Sequence, residues 1–209
     1  VRGNSSGVIN SPLWNFDAED TTEENTPLIW SSPALGDVDG DGRVEVVVGS
    51  DNTNLYVLDG SSGNPKWIFP TTARIRSSPM IDDIDGDGRP EIIFGSGLIY
   101  SIDALNRRTK WSFPLQTSTF SSPAIGDIDG DGQKEVVVGS YDNTLYALNG
   151  RTGQQKWTFF PRAQIDSSPT IADIDGDGQQ EIVVGVGSIG SSGDKGVYAL
   201  RGSNGSVKW

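Results

Sequence analysis

Residues 127–135 read Asp-Ile-Asp-Gly-Asp-Gly-Gln-Lys-Glu, with carboxylates at positions 1, 3, 5 and 9 of the loop and glycine at position 6. Alternate carboxylates on a tight loop converge on one point, while Ile128 between them turns toward a core. Such a point suits a hard cation. Ca²⁺ accepts roughly 6–8 oxygens at about 2.3–2.6 Å in flexible geometry, whereas Mg²⁺ demands a stricter octahedron and keeps more of its water. Gly132 allows the positive φ that bends the chain back. The carbonyl of Gln133 adds an oxygen, and Glu135 closes the shell from the following strand. The constellation recurs from Asp37, Asp83 and Asp173. Asp and Gly are also common turn formers, but turn formation does not require three alternating aspartates and a glutamate at fixed offset, four times over. Without a cation these carboxylates would repel one another strongly. The loops therefore predict about four calcium ions, one per repeat.

Other chemistry is narrowed by composition. Histidine and cysteine are both absent, which removes disulfides, thiol nucleophiles, a Ser-His-Asp triad and ordinary zinc or copper sites. Catalysis needs a metal with an open position or a perturbed acid-base pair. Four equivalent loops with nearly filled shells point instead to a structural role, and no catalytic constellation is visible. The net charge is −12, yet 16 of the 28 acidic residues lie in the four loops, leaving 12 other acidic residues against the chain's 16 basic ones. The negative balance thus belongs to the motif, and without a basic stripe nucleic acid is not an expected partner. No apolar run approaches the ~18–20 residues that span a bilayer.

The elements that carry these loops repeat as well. First aspartates are spaced 46, 44 and 46 residues apart, a period of propeller blades or solenoid units. Ser-Ser-Pro recurs at 31–33, 77–79, 121–123 and 167–169, and Lys-Trp pairs end at Trp67, Trp111, Trp157 and Trp209. One repeat reads as four short strands: SPAIGDI, KEVVVGS, NTLYALN and QKWTFF, joined by the acidic loop, a polar turn and GRTG. The unbroken valines of the second strand predict burial on both faces. With 27 glycines, 11 prolines and no long helical period, the chain is expected to be all-β, a β-propeller of four-stranded blades. A parallel β-helix is the alternative, although its coils are usually shorter. Blades are expected over 31–76, 77–120, 121–166 and 167–209, with 1–30 as the end of a preceding blade and a connecting loop. VRGNSSGVINSPLWNF at the start resembles LRGSNGSVKW at the finish. Four complete blades plus an extra outer strand are therefore expected, as part of a larger ring of about 7–8 blades or of an assembly.

The pattern D-x-D-G-D-G-x-x-[DE] followed by VVVGS resembles the FG-GAP repeat of integrin α-subunit propellers and their bacterial relatives, over residues 31–209. That resemblance implies one Ca²⁺ per loop, held through positions 1, 3, 5, 7 (backbone) and 9. It assigns Asp37, Asp39, Asp41, Arg43 and Glu45 in the first blade, and Asp83, Asp85, Asp87, Arg89 and Glu91 in the second. In the third it assigns Asp127, Asp129, Asp131, Gln133 and Glu135, and in the fourth Asp173, Asp175, Asp177, Gln179 and Glu181. SSPAIGD stands where the family has a Phe-Gly start, and Glu replaces the commoner Asp at position 9. These departures spare the metal site but weaken any transfer of integrin-like ligand binding. ALNGRTGQQKW (147–157) resembles the tryptophan motif of quinoprotein-type propellers, which implies that Trp67, Trp111, Trp157 and Trp209 pack between blades. The same motif occurs in catalytically inert scaffolds, so a quinone cofactor does not follow from it.

If acidic loops and GRTG-type turns share one rim, the opposite rim carries the connections between blades, where the copies differ. Before each Ser-Ser-Pro stand Trp30, Arg76, Phe120 and Asp166, preceded by Ile29, Ile75, Thr119 and Ile165. An anchor beside a variable contact residue is the expectation, and Trp, Arg and Phe are frequent interaction hot spots. The Gly/Ser-rich insertion at 185–196 lengthens that rim. A site with a dissociation constant of about 10 µM gains about 2.7 kcal/mol in ~1 mM calcium. Extracellular, cell-surface or periplasmic calcium sustains such sites, and submicromolar cytosolic calcium does not. The sequons at Asn4 and Asn204 are compatible with secretion. The sequence thus suggests a calcium-stabilised recognition or adhesion module for a protein or carbohydrate ligand. The alternatives are the propeller portion of a polysaccharide lyase or quinoprotein-type enzyme, or a self-assembling repeat of a surface filament.

Overall fold

Successive side chains of a strand face opposite ways, so a run such as Val136-Val137-Val138 needs apolar cover on both sides. The computed structural model, described for residues 13–18, 28–187 and 193–209, provides it by standing β-sheets face to face. The first sheet holds β1 (Ala34–Gly36), β2 (Glu45–Gly49), β3 (Asn54–Asp59) and β4 (Pro65–Pro70) in that order. The second holds β5 (Met80–Asp82), β6 (Glu91–Gly95), β7 (Leu98–Asp103) and β8 (Arg108–Pro114). The third holds β9 (Ala124–Gly126), β10 (Glu135–Gly139), β11 (Leu145–Asn149) and β12 (Gln155–Phe159). The fourth holds β13 (Thr170–Ala172), β14 (Glu181–Val186) and β15 (Gly196–Arg201). Its outer edge is reduced to a bridge between Leu200 and Val207, reinforced where the Lys208 N–H donates to the Ala199 carbonyl at 2.7 Å. All pairings are antiparallel meanders, and the chain is an all-β propeller.

The core lies between blades. Val47, Leu55 and Val57 of the first blade meet Ile92, Phe94 and Ile102 of the second. Ile93 and Ile99, on the other face of the second blade, meet Val136, Val138 and Leu148 of the third. Val137 and Leu145 then meet Ile182 and Val184 of the fourth. Each middle strand is shared in this way, which is why its sequence does not alternate. Burying one such Val, Leu or Ile side chain is worth about 1.5–3 kcal/mol, so stacking supplies most of the cohesion. Position 2 of the acidic loop contributes as read for Ile128: Val38, Ile84 and Ile128 are all buried. Ile174, with no sheet stacked beyond it among the described residues, is exposed.

The outer tryptophans lock each blade to the next. In three blades the ladder slips by one residue immediately beside the tryptophan's partner, between Val57 and Leu58, Ser101 and Ile102, and Ala147 and Leu148. Such a bulge re-aims a side chain. The Trp111 ring lies over Gly153 and its Nε1–H donates to the Gly150 carbonyl at 2.7 Å. Trp157 does the same over Gly205 and Gly202, and Trp14 over Gly63 and Gly60. A Cβ on Gly153 would stand 2.6 Å from the Trp111 ring. The packing role holds for Trp67 and Trp111, both 9% exposed, but Trp209 is 61% exposed because no described turn follows it. Trp14, in the described segment 13–18, takes the place of a preceding blade's outer tryptophan.

The Ser-Ser-Pro signature divides two tasks. Ser77 Oγ accepts from the Gly95 N–H at 2.7 Å and donates to the Gly95 carbonyl at 2.9 Å, pinning the inner strand within its own blade. The second serine bridges blades: the N–H groups of Ser32, Ser78 and Ser122 donate to the Oγ of Ser78, Ser122 and Ser168 at 2.9, 2.8 and 3.0 Å. The expected anchors Ile75, Thr119 and Ile165 are buried and lie on Gly49, Gly95 and Gly139. Ile29 departs from the pattern at 46% exposure, since no such glycine precedes it among the described residues. Inner strands neighbour one another from β1 to β5 to β9 to β13, and β13 does not touch β1 among the described residues. The sequon at Asn4 and residues 188–192 of the insertion lie outside the described residues.

Gly139 tests this packing. A Cβ there would meet Ile165 Cγ2 at 2.4 Å and the Ile165 carbonyl oxygen at 2.9 Å. Gly139→Ala should destabilise the fold by about 1–3 kcal/mol in denaturant titrations. A loss within experimental error would contradict the close approach.

Candidate cation sites and the opposite rim

Each acidic loop is folded by its own first aspartate. Asp127 Oδ1 accepts from the Gly130 N–H at 2.8 Å and Oδ2 from the Gly132 N–H at 2.9 Å. Asp37, Asp83 and Asp173 make the same pair of bonds. Gly130 and Gly132 adopt φ of 77° and 83°, the left-handed region where a side chain is disfavoured. The position-5 carboxylate accepts the N–H of position 7, from Asp41 and Arg43 through Asp87 and Arg89 and Asp131 and Gln133 to Asp177 and Gln179. Glu135 is fully buried, and its Oε2 accepts the Ile128 N–H at 3.1 Å. Glu45, Glu91 and Glu181 accept the equivalent N–H groups of Val38, Ile84 and Ile174. The glutamate that closes the loop therefore also fixes the apolar residue at position 2.

Three of the four loop carboxylates converge in each blade. One oxygen from each of Asp83, Asp85 and Glu91 lies within 4.8 Å of the others, as do those of Asp127, Asp129 and Glu135, and of Asp173, Asp175 and Glu181. In the first blade the group is Asp37, Asp39 and Asp41. The donor set is hard oxygen throughout and fits a calcium-type ion. The Asp39 Oδ1 atom is buried without a hydrogen-bond partner, which leaves a further acceptor in that cup.

A residue type missed in the sequence shares each cup. Lys66 Nζ lies 2.6 Å from Asp39, 3.2 Å from Asp41 and 2.9 Å from Glu45. Lys156 lies 2.5, 3.7 and 2.9 Å from Asp129, Asp131 and Glu135, and Lys208 lies 2.5, 3.8 and 2.9 Å from Asp175, Asp177 and Glu181. Lys110 bonds Asp85 and stands 3.7 Å from Asp87 and 2.9 Å from Glu91. The hydrogen bond to Asp175, with that to Glu181, pushes the Lys208 ammonium up to about 12. Burial pushes the Glu91 and Glu135 carboxyls up against the opposing pull of Lys110 and Lys156. Asp173 is held below the usual carboxylate range, chiefly by the Gly178 N–H. The recurring Lys before each outer-strand Trp was the available signal.

On the opposite rim the variable residues form a row. Arg76 pairs bidentately with Asp51, at 2.7 and 2.8 Å, and its guanidinium carbon lies 5.8 Å from the Trp30 ring centroid and 4.9 Å from that of Phe120. Phe120 stacks on Tyr141 with centroids 4.8 Å apart. Asp166 acts electrostatically on Tyr141, and burial pushes its carboxyl up while its Oδ1 lacks a partner. Trp30 is 61% exposed. The structure thus brings together Trp30, Arg76, Phe120 and Asp166, and adds Asp51 and Tyr141 from the turns between second and third strands.

Comparison with known proteins is consistent with this architecture. A family model described as FG-GAP-like repeat matches residues 37–94 and 127–184. No curated protein matches. Among solved structures, BamB from Moraxella catarrhalis is 20% identical with a TM-score of 0.56, covering 94% of this chain and 63% of its own. The computationally designed Ika4 protein is 15% identical with a TM-score of 0.64, covering 92% of this chain and 99% of its own. The quinohemoprotein alcohol dehydrogenase ADHIIG from Pseudomonas putida HK5 is 13% identical with a TM-score of 0.56, covering 76% of this chain and 34% of its own. These likenesses concern the propeller fold, and the chain spans less than two thirds of the BamB chain.

Two ion pairs separate structural from peripheral charge. Glu135→Ala would leave the Ile128 N–H and Lys156 without their buried acceptor and should cost about 3–5 kcal/mol. Lys134, 40% exposed and 2.8 Å from Asp82 across the second and third blades, should cost only about 0–1 kcal/mol as Lys134→Ala. Chemical denaturation checks both, and similar losses would contradict the difference.

Proposed function

The chain belongs to the FG-GAP-like repeat family, and on that footing we propose that it is a calcium-stabilised, non-catalytic recognition module working outside the cytoplasm, with a protein or carbohydrate ligand. The observation that carries the recognition reading is the row from Trp30 through Arg76, Phe120 and Tyr141 to Asp166, in which four blades contribute unlike side chains to one rim. Trp30 is exposed while Arg76, Phe120 and Tyr141 are half-buried, and aromatic and arginine groups held in such fixed contact lose little entropy on binding, the property of interaction hot spots.

The fourfold carboxylate cups support the calcium part. Positions 1, 3, 5 and 9 would hold the ion, and the ion would supply positive charge that screens the carboxylates and ties the first loop of each blade to its second strand. Binding only to the folded state stabilises it by mass action. Sites in the usual extracellular range of affinity fill where calcium is millimolar, which is the ground for the location outside the cytoplasm.

Two measurements test the proposal. Calcium added to chelator-treated protein should raise the melting temperature by about 2–4 °C for each kcal/mol of binding, and unchanged melting would contradict the calcium part. The triple variant Trp30→Ala/Arg76→Ala/Phe120→Ala should fold and lose binding in a glycan and surface-protein screen by roughly tenfold or more. Ligand retention by that variant would exclude this rim.

A further inference from the structure

The lysines in the cups repeat as strictly as the aspartates. Lys66, Lys110, Lys156 and Lys208 each stand one residue before an outer-strand tryptophan. Each reaches from the outer edge of its blade back to the loop that opens the same blade. The Nζ–Glu distance is 2.9 Å in all four blades. The tryptophan beside the lysine is fixed by the ladder slip in the first three blades and packed on the next blade's turn in the second and third, so the lysine stem starts from a set position. Its ammonium then faces three of the four carboxylates of the cup, at positions 3, 5 and 9. Position 1 stands apart from the ammonium and is bonded by the loop's own N–H groups.

An ammonium and a divalent ion want the same oxygens. A calcium ion using positions 3, 5 and 9 at about 2.3–2.6 Å would stand within a few ångström of Nζ, and two cations at that separation repel. We infer that these four lysines are tethered competitor cations: each ammonium holds its cup closed in the absence of metal, and a divalent ion takes the carboxylates only by displacing it. This inference rests on reading the loops as cation sites. Its consequence is that metal affinity is set by the outer strand as well as by the loop. Loss of the metal leaves the carboxylates paired with an internal charge, and entry of the metal frees a lysine at the blade edge.

Methionine keeps an apolar unbranched stem and removes the charge, so Lys→Met isolates the ammonium. Calcium titration of the chelator-treated 209-residue chain is followed by calorimetry for wild type, for Lys156→Met, and for the quadruple variant at Lys66, Lys110, Lys156 and Lys208. Without calcium both variants should melt below wild type. The altered sites should fill at roughly tenfold or more lower calcium, and the single variant gives this answer if the quadruple one does not fold. In wild type, reductive methylation of the four lysines should accelerate on calcium saturation, while that of the exposed Lys195, outside the loops, should not change. Calcium binding with an unaltered midpoint in Lys156→Met, or with unaltered lysine labelling, would overturn the competition and leave the calcium reading in place. Absence of calcium binding to wild type and both variants would overturn the calcium reading and the competition with it.

Discussion

The constraint on which this molecule depends is the buried glutamate at the end of each acidic loop. Glu45, Glu91, Glu135 and Glu181 are the first residues of the second strands and are almost wholly removed from water. A carboxylate in that position must be paired on both oxygens. One oxygen takes the N–H of the apolar residue at loop position 2, and the other takes the ammonium arriving from the outer strand. The first bond sets where Val38, Ile84 or Ile128 enters the interblade core, and the second ties the blade's outer edge to its opening loop. Loop, middle strand and outer strand are thereby joined by one side chain.

From that junction the rest of the blade follows. The middle strand, fixed at its first residue, exposes apolar side chains on both faces and so requires neighbours on both sides. The outer strand, fixed by its lysine, presents the adjacent tryptophan to the turn of the next blade. At the inner edge the Ser-Ser-Pro serines close the stack with one bond inside the blade and one between blades. The rim away from the loops is relieved of these duties, and there the copies diverge in chemistry from Trp30 and Arg76 to Phe120 and Asp166.

Much of this was legible in the residues. Four strands per repeat, the loop between the first two and double-sided burial of the valines come from local pattern, which the repeat multiplies, whereas the packing role of Trp67 and Trp111 was what the resemblance to the quinoprotein-type tryptophan motif implied. The family match and the propeller architecture agree with it. What escaped was set by contacts across the blade. Lys66 and Glu45 are 21 positions apart, and nothing in the local sequence says that a charged residue on an edge strand points back into its own sheet. The inter-blade bonds of Ser78 and Ser122 span 44 and 46 positions and look in sequence like an ordinary turn signature. Trp209, Ile29 and Ile174 were misjudged or left unread for a different reason: their repeat-mates are buried by a neighbouring blade, and theirs has no described neighbour on that side.

We propose that a divalent cation held by the loop carboxylates completes the organisation of each blade. Anomalous diffraction from crystals grown with terbium in place of calcium tests it most directly. One peak is expected inside the cup of every blade, bounded by the carboxylates at positions 1, 3, 5 and 9, with Lys66, Lys110, Lys156 and Lys208 turned away from it. Terbium found only outside the cups, with all four ammonium groups still on their glutamates, would contradict the account.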